Sequence, residues 1–537
     1  MKKFWYVAVA AVLAFIPVPA GSQPRQFPGT RSGVHVFSDQ MQEGMTGAQY
    51  AFAATHYAGC QKMLRDDVEN LRIYNPGFIV LHYQLGCGNG PEMFIDGNNW
   101  VSDWDIVNAQ GDWFMHEGPT RFYMSAWHWY LMDIARDAYR AYWADKCIER
   151  MRDTECDGVF ADSFTVDAYF DQLTPPHAWL SDPNLCKAQW IPRLEAWADY
   201  ITARFAGQFY FIPNLGGLVT SWDTTNYAGL GDGGMVEGFG GWGDGDYLGV
   251  DDWRLQMNRI LDLVRQDRIV ICQSYTSDSS LDERMFLAGC YLLIKGDRTY
   301  FNMIGVEHDE ELLYYPEYGI PTGEYAGSIP GSVDELYDPG TGCFRRNYAN
   351  GFVLVNPGDS AVTVPDLGGT YQLLSAQGGG TVNEGGGHTG SLSYVPVTSV
   401  EIPAHGAVVL LGEVPSTLHT VTLSLDKAAF LPSESNTLHW GITRAPAGPS
   451  VADAWVAVMT PWGMIYFYRA GSFSTSVRSV APSLPISDLS GDVGPFSLEG
   501  LQSGAYTWSG VLTHPGGNPL DASSRISTLG TASFSIN

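Results

Sequence analysis

The stretch CDGVFADSF, Cys156 to Phe164, holds a short apolar run, Gly158-Val159-Phe160-Ala161, that ends in an acid, Asp162. A strand buried on both faces reads as such a run, and parallel strands covered by helices are of that kind. An acid just past the run either caps the next element or projects into a site. Which of the two holds depends on whether other segments end the same way. VHVFSD from Val34, FIVLHYQ from Phe78, RFYMSAW from Arg121, FYFIPN from Phe209, GMVEGF from Gly234, RIVICQSY from Arg268 and TYFNM from Thr299 are further strand candidates. Helix-type patterns lie between them, among them ARDAYRAYWADKCIERMRD and WRLQMNRILDLVRQD. Eight strands alternating with helices over Val34 to Met303 predict an α/β fold, a (β/α)₈ TIM barrel. An open doubly wound sheet is the competitor, but no G-x-G-x-x-G follows the first strand.

The texture changes after about Gly331. Helical periodicity stops, and short β-type runs with Gly-rich turns take over: GFVLVNP, TYQLLS, SVEIP and AVVLLG. EVPSTLHT reads as a linker, and a second all-β unit follows from Val421. The expected divisions are therefore a signal peptide over 1–20, the barrel over 30–330, a β-sandwich over 331–413 and an Ig-like C-terminal β-sandwich over 420–537. The last unit reads as structural, with Trp455, Trp462 and Trp508 as its candidates for a sugar-binding surface.

Lys2 and Lys3 precede an apolar run from Phe4 to Ile16 and then VPAGS, the pattern of a secretory signal cleaved near Ala20. The expected location is secreted, periplasmic or cell-surface, with no membrane span after signal removal. MFLAGCYLLI, Met285 to Ile294, reads as a buried helix. Export would allow some of the eight cysteines to pair as disulfides. Cys272 and Cys290 sit in apolar runs and read equally well as buried thiols. The formal net charge is −28, which would repel phosphate backbones and argues against nucleic acid as a partner.

In barrel enzymes the reactive groups stand where strands end, at the carboxyl face. Asp39, His82, Asp162, Asn214, Glu237, Gln273 and Asn302 all end candidate strands. Asp162 and Glu237 close candidate strands four and six. Two carboxylates sharing one space suit glycoside hydrolysis: one gives a proton to the leaving oxygen, the other attacks the anomeric carbon or activates water. Asp162, on the shorter arm, suits the nucleophile and Glu237 the acid, with the reverse assignment open. Helix capping is the competing use of either acid. The remaining five polar residues are candidate substrate contacts, with Trp127, Trp129 and Trp242 as aromatic platforms for a sugar ring. There is no H-E-x-x-H and no C-x-x-C pair, so no metal site and no cofactor is expected.

MDIARDAYRAYWADKCIERMRDTECDGVFADSF resembles the barrel group called hypothetical glycosyl hydrolase family 15, where an Asp…Ala-Tyr-Arg helix start precedes a DGVF-x-D strand. It is more distantly similar to the endo-α-1,4-polygalactosaminidase family. FRRNYANGFVLVNPGDSAVTV…IPAHGAVVLL resembles the β-sandwich that follows such barrels. The resemblance spans roughly Val34 to Gly412. It implies that Asp162, the final acid of DGVF-x-D, is catalytic, and it supports Glu237. An Asn commonly follows that Asp, where this chain has Ser163.

Together these readings predict a secreted glycoside hydrolase acting on a polysaccharide or oligosaccharide through a carboxylate pair. Two alternatives stay open: a non-catalytic carbohydrate-binding or cell-surface protein on a barrel, and a metal-dependent polysaccharide deacetylase.

Overall fold

The computed structural model describes residues 23–165, 172–176, 182–305, 311–412, 418–445, 448–521 and 524–537. The expected signal peptide lies outside them. Eight parallel strands form the first sheet: β1 Val36–Ser38, β2 Tyr57–Gln61, β3 Ile79–Leu85, β4 Gly158–Asp162, β5 Tyr210–Pro213, β6 Gly233–Glu237, β7 Ile269–Thr276 and β8 Thr299–Gly305. Their order is β5-β4-β3-β2-β1-β8-β7-β6. A parallel bridge between Asn214 and Met235 joins β5 to β6 and closes the ring. Helices α1 Gly47–His56, α2 Arg65–Tyr74, α3 Asp137–Asp153, α4 Pro183–Phe205, α5 Val250–Arg265 and α6 Leu281–Ile294 pack outside. The protein is thus a (β/α)₈ barrel followed by antiparallel sheets.

Local chemistry sets the helix starts. At α1, Thr46 accepts from the Gln49 amide while the Gln49 side chain accepts from the Thr46 amide, a capping box. At α4, Asp182 caps the Asn184 amide and Pro183 takes the first helical position, where no amide donor is missed. Between β5 and β6 the connection carries a short 3₁₀ turn, Tyr227–Gly229.

One expected barrel strand is corrected. Arg121–Trp127 does not enter the barrel. Thr120–Arg121 pairs with His116–Glu117, and Tyr123–Met124 pairs with Trp129–Leu131, in antiparallel hairpins that lie in the long β3–α3 connection. Burial alternates along the run, with Phe122 and Met124 inside and Arg121 and Tyr123 partly exposed. That alternation belongs to a half-buried antiparallel strand, not to a barrel strand covered on both faces. The true second strand, YAGCQ, escaped notice because a glycine breaks its apolar pattern. A Cβ on Gly59 would lie 2.5 Å from the Ile79 carbonyl oxygen and 2.6 Å from Phe37, so this close approach requires glycine.

The barrel interior is packed by Phe37, Ile79, Leu81, Phe160, Tyr210, Ile212, Met235, Ile269, Ile271 and Tyr300. On α6 nearly every side chain is buried, because the helix lies between the barrel and the next sheet, on strands Gly351–Asn356 and Gly406–Leu411. That six-stranded antiparallel sheet runs from Tyr337 to Leu411 and is accompanied by the pair Val362–Val364 with Val400–Ile402. From Thr420 onward a three-stranded and a seven-stranded sheet enclose their own cores. Trp455 and Trp508 are buried there, and Trp462 is exposed.

The expectation of disulfides is also corrected. Cys60, Cys87, Cys147, Cys156, Cys272, Cys290 and Cys343 are free thiols, and all eight cysteines are buried. Burial raises the Cys272 and Cys290 thiols, the latter to about 12, so they pack as small apolar groups. No described helix is long and apolar enough to cross a membrane.

Candidate active site

Side chains along a strand alternate between faces, so each inward core residue predicts its neighbour two positions on. Above Phe160 stands Asp162, above Ile212 stands Asn214, and above Met235 stands Glu237. Phe37 leads to Asp39, Leu81 to Tyr83, Ile271 to Gln273 and then Tyr275, and Tyr300 to Asn302. The barrel therefore delivers one polar layer at its carboxyl face, resting on an apolar plug.

Asn214 links the two acids. Its Nδ2 donates to Asp162 Oδ1 at 2.8 Å and to Glu237 Oε2 at 2.7 Å. The two carboxylate oxygens are therefore no further apart than these two bonds laid end to end. Asp162 also accepts from the Tyr83 hydroxyl at 2.9 Å and from the Ser163 amide at 2.6 Å. Three donors therefore converge on this one carboxylate. Glu237 accepts from the Tyr275 hydroxyl as well. Burial, and then the charge of Asp162, nevertheless hold its carboxyl above the usual carboxylate range. The two acids sit in unlike surroundings, one ringed by donors and one pushed toward its protonated form.

On the other side of the mouth Asp39 binds Lys62, Nζ to Oδ2 at 2.6 Å, and accepts from the Gln61 amide. Burial works to lower the Lys62 ammonium. The charge and hydrogen bond of Asp39, with Asp162 and Glu237 behind, outweigh it and keep it charged. Gln273 and Asn302 are buried side by side in register, Gln273 also being opposite Glu237. The Gln273 Oε1 has no hydrogen-bond partner, which leaves an acceptor for a ligand hydroxyl.

Trp242 stacks on Tyr275, ring centroids 5.8 Å apart and 19° between planes. Gly238, at φ 70°, makes room for it, since a Cβ there would stand 2.4 Å from the indole. Trp127 is exposed on the hairpin between Tyr123–Met124 and Trp129–Leu131, and Trp129 is buried against Gly88 and Gly90. His82 lies on the outer face of β3 with α3. Burial, then the Arg150 charge, push it down to about 3, so it is a neutral core imidazole away from the acids. The residue of that strand which does reach the acids is its neighbour Tyr83. Its signal was the two-residue alternation from Ile79 through Leu81. Tyr275 followed in the same way from Ile271 and Gln273.

Glu92, in the long β3–α3 connection, was also missed, and a loop glutamate carries no periodic signal. Burial, then the charge of Asp162, push its carboxyl up to about 7. A carboxyl that holds its proton more tightly when folded contributes stability below its ordinary value of 4.5, and loses it as pH rises through about 7. Glu92→Gln is therefore expected to raise stability by on the order of 1 kcal/mol near pH 8 and to change little near pH 4. Thermal melts at the two pH values check this, and equal shifts at both would contradict it.

Among the described residues, no three His, Cys, Asp or Glu side chains are grouped to hold a metal ion. One cavity, of about 850 Å³, opens at the far end of the barrel between α3 and α4, by Asp153, Arg204 and Phe209. A second, of about 490 Å³, includes Lys62 and Tyr83 and so adjoins the acids.

A barrel with a polar, acid-bearing carboxyl face is the architecture of many carbohydrate-active enzymes. Residues 72–352, just over half of the chain, match the sequence family described as hypothetical glycosyl hydrolase family 15. The chain belongs to this family and is a glycoside hydrolase. No curated protein matches it significantly. Among solved structures, it is similar to a Paenibacillus sp. cycloisomaltooligosaccharide glucanotransferase complexed with cycloisomaltoheptaose. There the identity is 10%, the TM-score 0.31, and the match covers 86% of this chain and 84% of that one. A Clostridium papyrosolvens endoxylanase matches at 9% identity and TM-score 0.32, over 73% of this chain and 98% of its own. A Flavobacterium johnsoniae dextranase complexed with isomaltotriose matches at 10% identity and TM-score 0.35, over 82% and 64%.

Proposed function

We propose that the protein is a secreted hydrolase of O-glycosidic bonds in a poly- or oligosaccharide, with Asp162 as nucleophile and Glu237 as general acid and base. The observation that carries this reading is Asn214, which holds both carboxylates at once. The close approach of the two oxygens it bridges favours the roughly 5–5.5 Å of retaining glycosidases over the about 6.5–9.5 Å of inverting ones. Asp162, oriented by three donors, would attack the anomeric carbon as Glu237 gives its proton to the leaving oxygen. Glu237, then ionised, would take a proton from the water that releases the sugar. Tyr83 and Asn214 would steady the nucleophile. Tyr275 would do the same for Glu237 once ionised, and Trp242 would bear on the sugar's apolar face.

A panel of polysaccharides, including α-glucans and galactosamine-rich polymers, tests the reading. Wild-type protein is expected to release reducing ends from at least one of them, and proton NMR is expected to show the first product with the anomeric configuration of the substrate. A first product of opposite configuration would remove the nucleophile role from Asp162.

A further inference from the structure

We propose that the cavity over the ends of β1, β2 and β3 is a binding subsite for neutral glycosyl residues, which makes the site an open cleft for an internal stretch of a carbohydrate chain. This deepens the reading above and rests on it. The cavity measures about 490 Å³, within the range of about 300–1,000 Å³ usual for small-molecule sites. Gln40, Lys62, Tyr83, Met93, Ile95 and Trp100 contribute to its lining. It joins the acids through Tyr83, whose hydroxyl is bound to Asp162, and through Lys62, bound to Asp39.

A small hairpin, Phe94–Asp96 with Asn99–Val101, builds the outer wall. Phe94 is fully buried and anchors it, while Trp100 remains 39% exposed and Met93 52% exposed. The Trp100 indole Nε1 donates to Glu43 at 2.8 Å, which fixes the ring and leaves its face open. A fixed indole with amide and ammonium groups around it matches a sugar, which offers an apolar face and a rim of hydroxyls.

The position of this wall sets the mode of action. In the ring of strands β2 lies opposite β6. Trp100 and Lys62 therefore stand on one side of the acids, with Trp242 on Tyr275 on the other. Among the described residues, sugar platforms thus stand on both sides of the acids, so a chain can lie across them, with cleavage inside it.

The test uses the full chain and the polymers of the panel, with two readouts: retardation of the protein in gels containing each polymer, and the chain lengths of products. Wild type and Glu237→Gln are expected to be retarded alike by at least one polymer. Trp100→Ala is expected to bind it about tenfold more weakly, and Trp100→Phe to recover part of the loss. Products of mixed length are expected from wild type. Retardation of Trp100→Ala equal to wild type, no retardation by any polymer, or release of single sugars alone would overturn the proposal. Trp100-dependent retardation without cleavage would instead overturn the hydrolase reading and leave the subsite standing.

Discussion

Asp162→Asn is expected to lower kcat by about 10⁴-fold or more, the scale on which loss of a nucleophile acts. The amide is nearly isosteric, so the barrel should keep its stability, but it cannot attack carbon. It also places an NH₂ group among the Asn214, Tyr83 and Ser163 donors that the carboxylate now accepts from. Glu237→Gln is expected to cost about 10²–10⁴-fold, the usual worth of a positioned acid or base. The two variants should differ in their pH behaviour. Burial and the Asp162 charge hold the Glu237 proton above the ordinary carboxylate range. Wild-type kcat should therefore fall as pH rises through that raised value, because the acid form is lost, and Glu237→Gln should lack this limb. Steady-state kinetics across pH check both statements. An unchanged alkaline limb in Glu237→Gln would move the acid role elsewhere, with Glu92, whose carboxyl is pushed up to about 7, as the alternative.

The largest expected effect on stability is at Arg284. Its guanidinium and the Glu317 carboxylate are both fully buried and meet at 3.0 Å. The other guanidinium nitrogens donate to the carbonyls of Asp278 and of Gly378, and the group lies over the Tyr315 ring. Arg284 begins α6 of the barrel, and Gly378 follows the sheet strand Tyr371–Gln377, so one side chain pins the two units together. Removing one partner of a buried pair leaves an uncompensated charge and costs about 3–5 kcal/mol. Arg284→Met is expected to lose that amount in urea unfolding. Adding Glu317→Gln should restore much of it, since the stranded charge is then gone. A loss below about 1 kcal/mol in the single variant would contradict this account of the interface.

The barrel was legible in the sequence wherever strands were buried on both faces. GVFAD, IVIC and TYFNM have no competing pattern, and their terminal polar residues marked the carboxyl face. Legibility failed where one residue type served two demands. Gly59 satisfies a close approach to Ile79 and so erases the apolar signature of β2, taking Gln61 and Lys62 from view. RFYMSAW imitates a barrel strand in composition while its alternating burial belongs to a hairpin. His82 and Tyr83 are adjacent and both polar-tipped. Only the alternation anchored at Ile79 and Leu81 tells which one faces the mouth, and it selects Tyr83. Glu92 and Trp100 lie in a long connection without periodicity, where position comes from tertiary packing alone.

The central claim is that Asp162 and Glu237, held together by Asn214, cut a glycosidic bond. Reducing-end release across the polysaccharide panel by wild type, beside Asp162→Asn and Glu237→Gln, tests it most directly. The account predicts release from at least one polymer by wild type and its loss, to the extents given above, in both variants. Release that persists undiminished in Asp162→Asn would contradict it.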